Sequence, residues 1–167
     1  RIGILYSQFM DEEKLNRLGP SPIAPLLYAI RDAKTHEDLA QVMGTLARSG
    51  VSGLFDVGVE ADLNDTDKYS VYFAQGGLGL PDESYYRDPE YETYREKYVE
   101  HIATMLRLVC VLTEESASSA AAQVMEFETY LAGHHWDIVR TRDVNASNNP
   151  RTWLELVEDA PGFNWIQ

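Results

Sequence analysis

The run Gln75-Gly76-Gly77-Leu78-Gly79-Leu80-Pro81-Asp82-Glu83-Ser84-Tyr85-Tyr86 constrains this chain more than any other stretch. Three glycines fall within the five residues from Gln75 to Gly79. Glycine reaches positive φ and close backbone approaches at little steric cost, so the run predicts a tight, irregular path. Leu78 and Leu80 alternate with the glycines, which keeps that path against apolar surface. Pro81 then fixes φ and suits the first turn of a helix. The run is not a phosphate loop. A Walker loop needs Lys-Ser/Thr after its last glycine, and a dinucleotide fingerprint needs G-x-G-x-x-G between strand and helix. Here Gly77-Leu78-Gly79 is followed by Leu80-Pro81-Asp82. The local reading is a structural turn between a strand and a charged helix.

The rest of the pattern predicts a mainly α fold, a helical lobe with one antiparallel β-hairpin. A first helix is expected from about Ile2 to Arg17, stopped by Gly19-Pro20. A second starts at Ser21-Pro22. Thr35 caps a third, striped by Leu39, Val42, Met43 and Leu46 and ended by Gly50. Then the period changes. Phe55, Val57 and Val59 alternate with polar residues or glycine, as do Tyr69, Val71 and Phe73 with Ser70, Tyr72 and Ala74. Both read as strands joined by the polar loop Ala61 to Lys68. A lone hairpin is marginal in water, so it must lean on other structure. A long helix is expected from Asp88-Pro89 to about Val111. Another, capped by Thr113, is expected to run to about Arg140, with an Ala/Ser-rich half that permits close packing. Thr152 and Glu155 form a capping box.

Charge excludes some functions. The chain carries 27 acidic and 14 basic residues, a net charge of −13. Phosphate binding needs clustered Lys and Arg, so no nucleic-acid partner is expected. Nor is an anionic membrane surface. No stretch approaches the ~20 apolar residues of a membrane span. No signal peptide is visible, and cytoplasmic and secreted locations both stay open. Cys110 is the only cysteine, and its apolar surroundings predict a small buried hydrophobe. Arg1 opens directly into the apolar positions Ile2, Leu5 and Phe9. Phe163 and Trp165 at the other end need burial. The chain is therefore expected to be a piece of a longer protein.

No catalytic set is apparent. A zinc peptidase needs His-Glu-x-x-His, whose histidines share one helix face and whose Glu activates water. His36-Glu37-Asp38-Leu39-Ala40 lacks the second His and reads as a capped helix start. His134 and His135 are adjacent, and neighbours on a helix diverge by ~100°, so the pair chelates poorly. One is expected against Trp136 in the core, the other exposed. Asp62, Asn64 and Thr66 begin like a calcium loop, but Asp67 and Phe73 stand where an EF-hand needs Gly and Glu. That stretch reads as a solvated turn. The carboxylate pairs, Glu126 with Glu128 among them, read as exposed acids. Arg140 and Arg142 are placed near a helix end, where cations meet the negative end of the dipole; contact with a carboxylate is the alternative.

Several segments together carry a resemblance. Gln75-x-x-Leu78-x-Leu80-Pro81-x-x-x-Tyr85-Tyr86 is similar to a signature in the N-terminal, non-catalytic region of neprilysin-like (M13) zinc metallopeptidases. Phe9-Met10-Asp11-Glu12-Glu13, Gly50-Val51-Ser52-Gly53-Leu54-Phe55 and Glu128-Thr129-Tyr130-Leu131-Ala132 with His135-Trp136-Asp137 resemble further family segments in order. So do Arg142-Asp143 and Asn149-Pro150-Arg151-Thr152. Asn148 departs from the pattern, standing where the family has Tyr. The resemblance covers essentially the whole chain, and the single cysteine suits a bacterial-type member.

The resemblance implies an accessory lobe, residues 1–167, of a two-lobed zinc metalloendopeptidase. Zinc belongs to the full-length enzyme, with no catalytic or metal residue expected in this chain. Its partners would be the enzyme's own catalytic lobe and short peptide substrates. Gln75, Tyr85, Tyr86, Arg140 and Arg142 are the candidate cleft or interlobe contacts. The alternatives are a stand-alone acidic α-helical interaction module and, more remotely, a hydrolase built on paired carboxylates.

Overall fold

The computed structural model describes residues 1–110, 112–163 and 165. Four helices open the chain: α1 (Ile2–Phe9), α2 (Glu12–Leu18), α3 (Ala24–Asp32) and α4 (His36–Arg48). A hairpin of β1 (Phe55–Ala61) and β2 (Tyr69–Gln75) follows, then the one-turn helix α5 (Ser84–Arg87). Two 19-residue helices come next, α6 (Glu92–Cys110) and α7 (Glu114–Ala132). Short α8 (Val144–Ser147) and α9 (Trp153–Asp159) close the described chain. The fold is mainly α with one antiparallel hairpin, as the periodicity predicts.

The caps explain several boundaries. Thr35 accepts from Asp38 N at 3.1 Å while Asp38 accepts from Thr35 N at 3.0 Å, the reciprocal pairing that satisfies two orphan donors. His36-Glu37-Asp38 is thus a capped helix start. Thr152 and Glu155 repeat the arrangement before α9. Gly50, at φ +76°, ends α4, with Val51 N returning to the Leu46 carbonyl at 3.0 Å.

Three boundaries differ from expectation. The helix expected over 2–17 breaks at Met10-Asp11, because the Asp11 carboxylate accepts from Lys14 N at 3.0 Å and starts α2 afresh. The helix expected to reach Arg140 stops at Ala132, just before Gly133. Arg140–Arg142 instead form a separate 3-10 turn. A 3-10 turn at Pro89–Tyr91 precedes α6, which runs to Cys110; Val111 lies outside the described residues. Cys110, the last residue of α6, is exposed rather than buried.

The hairpin register pairs Val57 with Phe73, Val59 with Val71 and Ala61 with Tyr69. Side chains alternate faces along a strand, so these six lie on one side. Its loop is a turn closed by Asp62, which accepts from Asn64 N at 2.7 Å and Ser70 Oγ at 2.5 Å. The Ser70 hydrogen bond is the main reason the Asp62 pKa falls below its usual value.

Every fully buried residue among those described lies between Tyr86 and Ala132. Ala117 and Ala121 on α7 are wholly buried against Ala103, with Val99, Ile102, Leu106 and Leu112 packed around them. Small side chains let the two long helices approach closely, as the Ala/Ser-rich pattern predicts. Helices α1 to α4 contain no buried residue; Ile2 is 85 % exposed and Phe9 75 %. The chain exposes 12922 Å². A closed monomer of 18.9 kDa exposes about 8,300 Å² by the size scaling, so about 4,600 Å² is surplus.

Candidate functional site

The Gly-rich run is held by one buried carboxylate. Glu128, on α7, is only 8 % exposed. Its Oε2 accepts from the Tyr86 hydroxyl at 2.5 Å and from Gly79 N at 3.1 Å. Its Oε1 accepts from the Tyr98 hydroxyl at 3.0 Å. The Tyr86 oxygen in turn accepts from Leu80 N at 3.0 Å. A buried carboxylate is tolerated only when its oxygens are hydrogen-bonded, and here three donors from α5, α6 and the turn supply that. Burial first, and the Glu128 hydrogen bond second, raise the Tyr86 pKa well above its usual value. The same two causes push Tyr98 up to about 12. Both phenols therefore stay protonated donors at neutral pH.

The glycines have steric reasons. A Cβ on Gly79 would sit 1.7 Å from Tyr98 Oη and 2.5 Å from its Cζ. Gly77 has φ +81°, and its Cβ would meet Leu131 Cδ2 at 2.8 Å and the Gly53 carbonyl at 3.1 Å. Two close approaches, rather than a ligand cradle, account for the motif.

Gln75 extends the same frame across 61 residues. Its Nε2 donates to the Trp136 carbonyl at 3.0 Å and its Oε1 accepts from Trp136 N at 2.9 Å. A side-chain amide that takes both backbone polar groups of one residue fixes that residue in place of a strand neighbour. The Arg140 guanidinium then lies 3.7 Å from the centre of the Trp136 ring, a cation–π contact. Arg140 is thus set by Trp136 and not by a helix dipole. Arg142 is exposed in the same turn. Tyr85 turns away from Glu128 and stacks on Tyr91 with centroids 4.0 Å apart. Of the five candidate residues, Gln75, Tyr86 and Arg140 join this frame, whereas Tyr85 and Arg142 do not.

His135 is half-buried and lines a polar cleft of about 260 Å³ with Ser52, Asp56, Gln75, Asp82 and Trp136. Burial lowers its pKa, with the Gly76 carbonyl acting the other way. His134 is exposed and uses Nδ1 on the Tyr130 carbonyl at 2.9 Å. Neither lies on a continuous helix, since α7 has already ended. Glu128 corrects the reading of the acidic pairs as exposed. Tyr98 and Glu128 were the residues that sequence reasoning missed. The available signal is that Ala117, Ala121, Glu128 and Ala132 fall on one helical face, which puts the carboxylate in line with the buried alanines.

This architecture has known counterparts. The profile of the N-terminal region of peptidase family M13 matches residues 1–167, and the chain belongs to that family. Among solved structures, it superimposes on Mycobacterium tuberculosis zinc metalloprotease Zmp1 in complex with an inhibitor with a TM-score of 0.92. The identity is 41%, covering 99% of this chain and 25% of that one. The open state of the same mycobacterial enzyme gives a TM-score of 0.91 over 99% of this chain and 26% of that one. Endothelin-converting enzyme 1 of Cavia porcellus is 27% identical over 172 residues, 98% of this chain and 22% of the relative. The chain therefore spans about a quarter or less of the length of the relatives it matches.

Proposed function

We propose that this chain is the N-terminal accessory lobe of a zinc metalloendopeptidase, one that covers the active-site cleft and restricts entry to short peptides. The observation that carries the reading is the match to family M13 along residues 1–167, together with a mycobacterial zinc metalloprotease counterpart. The surplus surface of about 4,600 Å² supports it, since a self-contained interaction module would close its own core.

The donor set of this chain does not fit a catalytic zinc. His36 has Ala40 four residues on, His101 has Met105, and His134 and His135 have Ile138 and Val139. Among the described residues, no three His, Cys, Asp or Glu side chains converge as ligands. The zinc and the residues that hold it are assigned to the remainder of the polypeptide, and no reaction step is assigned to this chain. Its contribution is shape. Gln75, Tyr85, Arg140 and Arg142 stand as the cleft or interlobe contacts. Tyr86 acts by holding the turn, because its hydroxyl is already committed to Glu128.

The test uses the full-length polypeptide with unstructured peptides of graded length. Cleavage that is lost on chelation, regained with zinc, and falls off steeply as the peptide lengthens is the expected result. Zinc-independent cleavage, or equal cleavage of long folded proteins and short peptides, would overturn it.

A further inference from the structure

A second polar cavity, of about 450 Å³, lies where the end of α7 and the turn after it meet α5. Its charges do not balance. The Glu83 side chain lines it and is only 10 % exposed. Among the described residues no donor hydrogen-bonds to the Glu83 carboxylate, and its one ionic partner is Arg87 Nη1 at 3.4 Å. Arg87 is committed first to Asp88, whose Oδ1 accepts from Arg87 Nε at 2.9 Å. Asp137, also on the wall, accepts from Val139 N at 2.9 Å and Arg140 N at 2.8 Å through Oδ1 alone. Its Oδ2 is left without a donor among the described residues. Burial keeps the His135 pKa low, so that ring is neutral at pH 7 and brings no charge. Three carboxylates, Asp88, Glu83 and Asp137, thus act on one guanidinium.

The backbone adds to the excess. Thr129, Ala132 and Gly133 bring the C-terminal end of α7 to the same cavity. A helix end of this kind carries partial negative charge, and the last turn of α7 has no basic residue. Burying a carboxylate without donors is costly. Glu83, the free oxygen of Asp137 and the helix end all call for a cation.

We propose that this cavity is a subsite for the guanidinium of an arginine in a bound peptide. The proposal rests on the reading of the chain as one lobe of a peptidase. Among the described residues no three His, Cys, Asp or Glu side chains converge as metal ligands, so the donor set suits an organic cation. A planar guanidinium offers five donors and meets carboxylates in a fork, where an ammonium is a point charge. Tyr86 and Ala132 supply apolar wall for the stem of the side chain. A chain of net charge −13 draws basic peptides towards it. Substrate selection by this lobe then has two parts, with shape limiting length and this cavity reading charge.

The experiment uses the full-length polypeptide with metal chelated, so that no cleavage intervenes. Two short fluorescent peptides are compared by anisotropy, identical except that one carries arginine and the other its uncharged isostere citrulline. The arginine peptide should bind on the order of tenfold tighter, the scale of charge-assisted hydrogen bonds, and the advantage should shrink as salt rises. Glu83→Gln and Asp137→Asn keep shape and remove charge, and each should reduce the advantage several-fold. Circular dichroism shows that the variants are folded; if one is not, the other carries the test. Equal binding of the two peptides to the unsubstituted protein overturns the proposal. An advantage undiminished in the folded variants also overturns it, because the arginine then sits elsewhere. Equal binding together with a Tm lowered by Glu83→Gln overturns it in favour of a basic side chain of the polypeptide itself. Zinc-dependent cleavage is measured separately. An arginine advantage without cleavage would remove the peptidase reading and keep the subsite, and cleavage without the advantage would do the reverse.

Discussion

The stretch from Tyr86 to Ala132 and the helices from Ile2 to Arg48 are built from similar amphipathic segments, yet they end differently. In the first, α5, α6 and α7 close on one another. Small residues bring the long helices together, and Glu128 ties α7 to the Gly-rich turn through Tyr86, Tyr98 and Gly79. In the second, the caps and stripes are equally good, but no residue is buried. The difference teaches that helix signals set where helices form, not what covers them. Polar ties across long sequence separations mark the part of this chain that holds its buried residues.

The comparison can be broken most severely at Gly79. Gly79→Ala places a methyl 1.7 Å from the Tyr98 hydroxyl oxygen, and overpacking of this kind costs about 3 kcal/mol. Thermal unfolding of the full-length polypeptide should show it as a large drop in Tm, and an unchanged Tm would mean the turn is not held as described. Glu128→Gln comes next. It keeps the shape but sets an amide N–H2 against a donor, for a loss of about 2 kcal/mol. Denaturant unfolding measures it, and a neutral effect would contradict the buried node.

Gln75→Ala removes two hydrogen bonds to the Trp136 backbone, worth about 1 to 2 kcal/mol together. It should also shift Trp136 fluorescence as the ring loosens; a stable protein with unaltered fluorescence would show that the clamp holds nothing.

A pH series sharpens the same contrast. The Tyr98 pKa rises from 10.0 to about 12, and Tyr86 is raised as well. Between the unfolded and folded values the native state binds more protons than the unfolded state, so stability falls as pH rises. The contribution is whole below pH 10 and is lost progressively up to about pH 12. Tyr98→Phe should flatten that slope without moving the slope at neutral pH. Within residues 1–167 alone the smallest effect is expected at Phe9. Phe9→Ser should cost within about 0.5 kcal/mol in residues 1–167 alone, where the ring is exposed. In the full-length polypeptide it should cost about 1.5 to 3 kcal/mol, the scale of burying such a side chain.

Much of the local structure was legible in the residues. Alternation at Phe55–Val59 and Tyr69–Phe73 gave the hairpin, Thr35 and Thr152 gave the capping boxes, and Asp62 gave the turn. The break at Asp11 was hidden, because the apolar period continues through it while the carboxylate restarts the backbone. The end of α7 was signalled by Gly133 and obscured by the polar-apolar mixture that follows. The Glu128 node could not be read directly. Its partners lie 30 to 49 residues away, and a helical acid looks the same in sequence whether it meets water or two tyrosines. Family resemblance located the Gly-rich run; only the packing explains why its glycines are required.

The most direct measurement is amide hydrogen exchange on residues 1–167 alone and within the full-length polypeptide. Strong protection of α6 and α7 in both, with α1 to α4 protected only in the full-length protein, is the predicted result. Helices α1 to α4 exchanging at the same rate in both would contradict the account that the rest of the polypeptide covers this region.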